Sequence, residues 1–142
     1  MRIEEKDVTI KSLVEVLKNA FFDVIEHENS FYVYINRYQL YVYIDKGFKH
    51  IKMSVISFLD YNEDLYRELV FECNKMNCDF VKIRSSVSKA GEESLMLESE
   101  GYILYSDGLD VKQFVEELKS IDYIVATAYE RNVRSIILKY QG

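Results

Sequence analysis

From Phe31 to Ile44 the chain reads Phe-Tyr-Val-Tyr-Ile, then Asn-Arg-Tyr-Gln, then Leu-Tyr-Val-Tyr-Ile. Side chains on a strand point to opposite faces with period two. Phe31, Val33, Ile35, Leu40, Val42 and Ile44 therefore share one face of a predicted hairpin. Tyr32, Tyr34, Tyr41 and Tyr43 share the other. The aliphatic face needs a cover, most simply helices. The tyrosine face is amphipathic and can stay partly wet or meet a partner.

Period-3.6 patterns flank the hairpin. Residues 7–21 predict a helix capped by Asp7 or Thr9, with Ile10, Leu13, Val14, Leu17 and Phe21 along its buried stripe. A short strand over 22–28 leads through His27-Glu28-Asn29-Ser30 to the hairpin. A longer strand over 48–59 turns Ile51, Met53 and Val55 one way and His50, Lys52 and Ser54 the other. Asp60 or Asn62 caps a second helix to Met76, with Leu65, Leu69, Cys73 and Met76 inward and Asn77 as a left-handed stop.

A strand over 79–87 is expected to turn Val81, Ile83 and Val87 inward and Phe80, Lys82 and Arg84 outward. Strand 94–100, which Tyr102 to Tyr105 can extend, supplies Glu98 and Glu100 as cross-strand partners for Lys82 and Arg84. The last helix starts at Asp110, with Gln113 completing a capping box. Its stripe runs from Val111 to Tyr129 and resumes with Val133, Ile136, Ile137 and Tyr140.

Unbroken to Tyr140, that helix would be roughly 46 Å long. A domain of this size is only about 37 Å across. Either the helix breaks near Glu130-Arg131-Asn132 or its end, with Val133, Ile136, Ile137 and Tyr140, packs on a second copy; the apolar end favours a homodimer. Element order is α-β-β-β-β-α-β-β-α. The fold class is α+β, a twisted antiparallel sheet with helices on one face.

Composition narrows the function. At 142 residues without a single proline, and with no Pro/Gly/Ser-rich linker, the chain reads as one domain, 1–142. A net charge of −6 disfavours a duplex-binding protein, whose affinity rests on neutralising phosphates. Single strands stacking on the tyrosines remain a minor option. No apolar run approaches the ~20 residues of a membrane span, and the charged start lacks a signal peptide, so a cytoplasmic protein is expected.

Chemistry is sparse. Cys73 and Cys78 have no pair of well-spaced histidines beside them; His27 and His50 stand apart, and neither a metal nor a catalytic cysteine is indicated. Glu92-Glu93 and Glu116-Glu117 are sequence neighbours and read as solvated charge. Lys-Ala-Gly-Glu-Glu at 89–93 has one glycine and is no phosphate loop. No catalytic residue and no cofactor is predicted.

One stretch carries a resemblance. Leu69-Val70-Phe71-Glu72-Cys73-Asn74-Lys75-Met76-Asn77, followed by Phe80-Val81-Lys82-Ile83, is similar to the YbjN-like family's pattern of a helix ending in Asn-x-x-Asn and a strand opening apolar-x-Lys-apolar. The aromatic strands, Leu95-Met96-Leu97-Glu98 and the helix from Asp110 follow in the same order over about residues 8–130. The chain departs from the family at His27-Glu28-Asn29-Ser30, where Asp and Gly are usual, and in its apolar end after Tyr129. That family of bacterial domains, labelled sensory transduction regulators, resembles type III secretion chaperones in fold, and implies no catalytic residues.

The expected function is a non-enzymatic, cytoplasmic protein-interaction or regulatory domain, homodimeric, with Tyr32, Tyr34, Tyr41, Tyr43, Lys52, Lys82 and Arg84 as the contact face. The alternative is a chaperone holding an extended client along a sheet edge or helix groove.

Overall fold

A computed structural model describes residues 1–141. Arg2–Ile3 (β1) is a two-residue strand that pairs with Leu109–Asp110 (β8), a small second sheet that ties the N-terminal segment to the start of the last long helix. A single 3-10 turn follows at Glu5–Asp7.

Helix α1 spans Ile10–Asn19. Thr9 caps it: its Oγ1 accepts the Ser12 N–H at 3.0 Å, and the Ser12 hydroxyl accepts the Thr9 N–H at 3.0 Å. Leu13, Val14 and Leu17 enter the core. The helix closes in a Schellman arrangement, Phe22 N–H to Leu17 C=O and Phe21 N–H to Lys18 C=O, each 3.0 Å. Phe21 therefore lies beyond the helix, in the left-handed region at φ +66°, and is 96% exposed; its expected place in the buried stripe is corrected.

The main sheet has six antiparallel strands in the order β2-β3-β4-β5-β7-β6. They are Asp23–Glu26 (β2), Ser30–Tyr34 (β3), Gln39–Asp45 (β4), His50–Asp60 (β5), Arg84–Lys89 (β6) and Ser94–Leu104 (β7). β7 is one unbroken strand, so the Tyr102 segment extends it. The hairpin split holds: Phe31, Val33, Leu40 and Val42 are fully buried, and the tyrosines lie on the opposite face.

Helix α2, Glu63–Asp79, connects β5 to β6. The Asn62 side chain accepts the Asp64 and Leu65 N–H groups at 3.0 Å. The helix runs on past Met76, so Asn77 is not its left-handed stop. This lengthening moves β6: residues 80–83 become a connector, Val81 is 94% exposed, and only Ile83 of the connector is buried. The expected strand over 79–87 is thus corrected to Arg84–Lys89.

Helix α3 spans Val111–Asn132, its first turn capped by the Asp110 carboxylate on the Gln113 N–H at 2.9 Å. The chain then breaks at Val133, which is buried, and α4, Arg134–Gln141, folds back. Lys139 reaches Glu68 on α2 at 3.4 Å. Gln141 clasps the Asp60 backbone through both amide atoms at 2.9 and 3.1 Å. Of the two expected outcomes the structure takes the break, directly after Glu130-Arg131-Asn132, and the end does not overhang. Val133 sits in the core, and Ile136, Ile137 and Tyr140 pack half-buried against it within the same chain, so they do not project from the domain.

All helices contribute to one core with the aliphatic side of the sheet. Sheet and helix approach closely at Gly101 on β7, where a Cβ would come 2.4 Å from Ile121 Cδ1 of α3. Among the described residues no helix is long and apolar enough to cross a membrane.

Candidate interaction face

The face of the sheet away from the helices is the candidate site. Antiparallel register places Tyr32 opposite Tyr41, and Tyr43 opposite Lys52, which in turn lies opposite Tyr102. Rings form a strip: His27 to Tyr32 at 5.8 Å, Tyr32 to Tyr41 across β3 and β4 at 5.2 Å, and Tyr41 to Tyr43 along β4 at 5.8 Å between centroids. The Lys52 ammonium stands 5.3 Å from the Tyr43 ring centre, continuing the strip as a cation–π contact. His50 and Tyr102, 4.7 Å apart, carry it onto β7.

A charged cluster occupies the middle. Lys52 Nζ lies 2.5 Å from Glu100 and 3.7 Å from Glu98, while Arg84 reaches Glu100 at 3.2 Å from the next strand. The Tyr102 hydroxyl donates to Glu100 at 2.7 Å. Glu100 is almost wholly covered although it belongs to the open face. Burial opposes its ionisation, but hydrogen bonds from Lys52 and Tyr102 and the charges of Lys52 and Arg84 hold its pKa below the usual range. Burial likewise opposes the charge on Lys52, and the Glu100 hydrogen bond with the Glu98 and Glu100 charges overrides it, raising the pKa. The cluster is internally neutralised, with two cations facing two carboxylates. Ser54, between Tyr41 and Glu100 in register, is sealed with no hydrogen-bond partner for its hydroxyl among the described residues.

Six of the seven expected contact residues belong to this face: Tyr32, Tyr34, Tyr41, Tyr43, Lys52 and Arg84. Lys82 does not. It lies in the α2–β6 connector and pairs with Glu117 on α3 at 2.9 Å, because the longer helix removes residue 82 from the strand. Reading by sequence missed Tyr102, Leu104, Phe58 and Ile25, which share the face and are exposed. Carrying the parity of Glu98 and Glu100, both expected outward beside Arg84, two steps further would have found Tyr102 and Leu104.

The edges of the sheet differ. Ala90 N–H bonds Ser94 C=O at 2.8 Å, which sets Ser85, Val87 and Lys89 of β6 with their backbone groups pointing away from β7. Asn77 of α2 fills the first of these positions: its Oδ1 accepts the Ser85 N–H at 2.6 Å and its Nδ2 donates to the Ser85 C=O at 3.0 Å. One side chain thus imitates a neighbouring strand. Beneath it, the Ser85 and Ser99 hydroxyls lie 2.7 Å apart, and Ser99 donates to the Tyr129 hydroxyl at 3.3 Å. Burial raises the pKa of Tyr129.

The cysteines are separate, Cys73 buried and Cys78 exposed. Burial, followed by the Glu72 charge, pushes the Cys73 thiol up to about 11, so it stays protonated and unreactive at neutral pH. Among the described residues no group of three or more His, Cys, Asp or Glu gathers as metal ligands.

The class this geometry defines is an α+β domain with an antiparallel sheet covered by helices on one side and an aromatic open face on the other. No protein-family model and no curated protein matches the sequence. Solved structures are similar in fold. YbjN from E. coli, described as a candidate transcription regulator, superposes with a TM-score of 0.72 at 10% identity, over 85% of this chain and 88% of that one. An uncharacterised protein from Methanothermobacter thermautotrophicus gives 0.57 at 11% identity, over 88% and 99%. The fold is therefore YbjN-like.

Proposed function

We propose that this chain is a non-enzymatic protein-interaction domain whose open sheet face binds a second copy of itself. The observation that carries the reading is that face: six strands wide, free of helices, and rich in rings and apolar groups, with Tyr34 half exposed and Phe58 more so. Six strands about 4.8 Å apart, each about 20 Å long, project to roughly 500 Å². The accessible area of so rough a surface is larger, approaching the ~800 Å² per partner of a stable interface. A two-fold axis through one self-complementary face is the simplest way to cover it. The internally paired cluster of Lys52, Arg84, Glu98 and Glu100 suits this, since neither copy presents unbalanced charge at the centre.

Light scattering on a size-exclusion column tests it. A two-chain mass is expected, falling to one chain in Tyr34→Glu/Phe58→Glu, whose side chains are exposed in the single chain. A one-chain mass for the unaltered protein at the highest attainable concentration rejects the second copy as partner.

A further inference from the structure

Where α3 breaks and α4 folds back, the two helices and the β3–β4 turn enclose a cleft of about 400 Å³. Ala126 and Val133 on α3 and Ile137 and Leu138 on α4 line it with apolar groups. Ala126 and Val133 are seven residues apart in sequence, about 10 Å along the helix, so the lining is elongated. Leu138 is 58% exposed at its mouth, whereas Ala126 and Val133 are buried. Two rings complete the apolar lining, Tyr38 from the turn and Tyr129 from α3, edge to face at 6.0 Å between centroids.

The charged residues of the lining are Arg37, Glu130 and Arg134. Glu130 is spent on Arg134, whose guanidinium donates to its two carboxylate oxygens at 2.9 and 3.1 Å. Arg37 is exposed and joins no ion pair among the described residues. Burial, followed by the Asp122 charge, raises the pKa of the Tyr38 phenol, and the Arg37 charge opposes them, which puts the guanidinium within electrostatic reach of that ring. The Asp122 carboxylate is not part of the lining. It is buried and accepts the backbone N–H groups of Arg37 at 3.1 Å and Tyr38 at 2.9 Å, which anchors the turn. The cleft thus sets one uncompensated cation beside a long apolar wall.

We propose that this cleft binds a small amphiphilic anion, a carboxylate on an alkyl chain of medium length, with the chain along α3 and α4 and the head on Arg37. Its volume falls in the lower part of the range of small-molecule sites, about 300–1,000 Å³. A helix, about 10 Å across with its side chains, is too bulky for it. The planar fork of Arg37 offers a carboxylate two parallel N–H donors. A neutral chain covers the same wall but leaves that fork unpaired, and a cationic head meets Arg37 with like charge.

The test titrates the full chain with decanoate, kept below its micellar concentration, and follows amide chemical shifts. Decanol and decyltrimethylammonium serve as uncharged and cationic counterparts, and octanoate as a shorter one. One decanoate per chain is expected, with shifts confined to residues 36–38 and 126–138. Decanol and the ammonium should bind at least about fivefold more weakly, for want of the charge-assisted pair with Arg37. Octanoate should bind about three- to tenfold more weakly, because two fewer methylenes are covered. Arg37→Gln keeps the backbone anchor to Asp122 and should bring decanoate down to the affinity of decanol. Leu138→Ser should weaken decanoate and decanol alike. Both side chains are exposed, so the urea unfolding curves of the two variants should coincide with the parent's. No saturable shift, decanol binding as tightly as decanoate, undiminished affinity in Arg37→Gln, or shifts centred on the tyrosine strip would each overturn the proposal. None of these results bears on the mass measurement above.

Discussion

Asn77 shows how much one side chain decides. Asparagine tolerates the left-handed conformation, which makes it a reasonable helix stop in a sequence. Here it remains helical and spends its amide on the Ser85 backbone instead. Its target is eight residues away on a strand whose position no local pattern reveals. Asn77→Ala leaves both Ser85 groups without their partner and should cost about 1–3 kcal/mol in urea unfolding. Asn74→Ala, at an exposed neighbour with no side-chain hydrogen bond among the described residues, should fall within about 0.5 kcal/mol of the unaltered protein. Phe21 is the opposite case, a local rule broken in place. Phe21→Gly should stabilise the fold by about 1 kcal/mol in the same assay, by removing a left-handed Cβ.

Among elements, the strands with strict alternation were legible and β6 was not. Phe31–Ile44 alternates around a turn, and both registers follow from it. Phe80-Val81-Lys82-Ile83 alternates equally well, yet α2 runs to Asp79 and leaves those residues as a connector. Alternation alone cannot separate a strand from the loop before it when the preceding helix has no glycine or proline to end it. The β5–β7–β6 block invites two measurements. Gly101→Ala places a methyl against Ile121 Cδ1 and should destabilise by about 1–3 kcal/mol, with Ile121→Val recovering part of the loss in a double-mutant cycle. Glu100 titrates lower in the fold than in the unfolded chain. Its contribution is therefore complete above the unfolded value near 4.3 and is lost as pH falls through the lower folded value. Denaturation curves across acidic pH should show this limb in the unaltered protein and a shallower one in Glu100→Gln. At neutral pH that variant should be about 1–3 kcal/mol less stable, with Glu98 still facing Lys52.

For the whole molecule, helix length required either a break or an overhang, and the structure takes the break at Val133. The apolar stripe continues through Val133 to Tyr140, so nothing in its period marks a bend. The bend exists because Val133 is drawn into the core and the following turn finds α2 and the end of β5. That is a tertiary preference, outside the reach of a local pattern. It also removes the projecting helix as a reason for self-association and leaves the sheet face as the surface to test. Ile137→Asp separates the two: it should destabilise the fold by about 2 kcal/mol in thermal or urea unfolding, as a half-buried apolar contact is lost, and leave the measured mass unchanged from the parent.

The Asn77 bridge has a dynamic corollary. Because a residue of the last helical turn supplies what water would otherwise give the outer strand, neither can fray without the other losing partners. Amide protons of residues 76–80 and of Ser85 should thus exchange with deuterium at one shared rate, as a single breathing unit at the rim of the molecule.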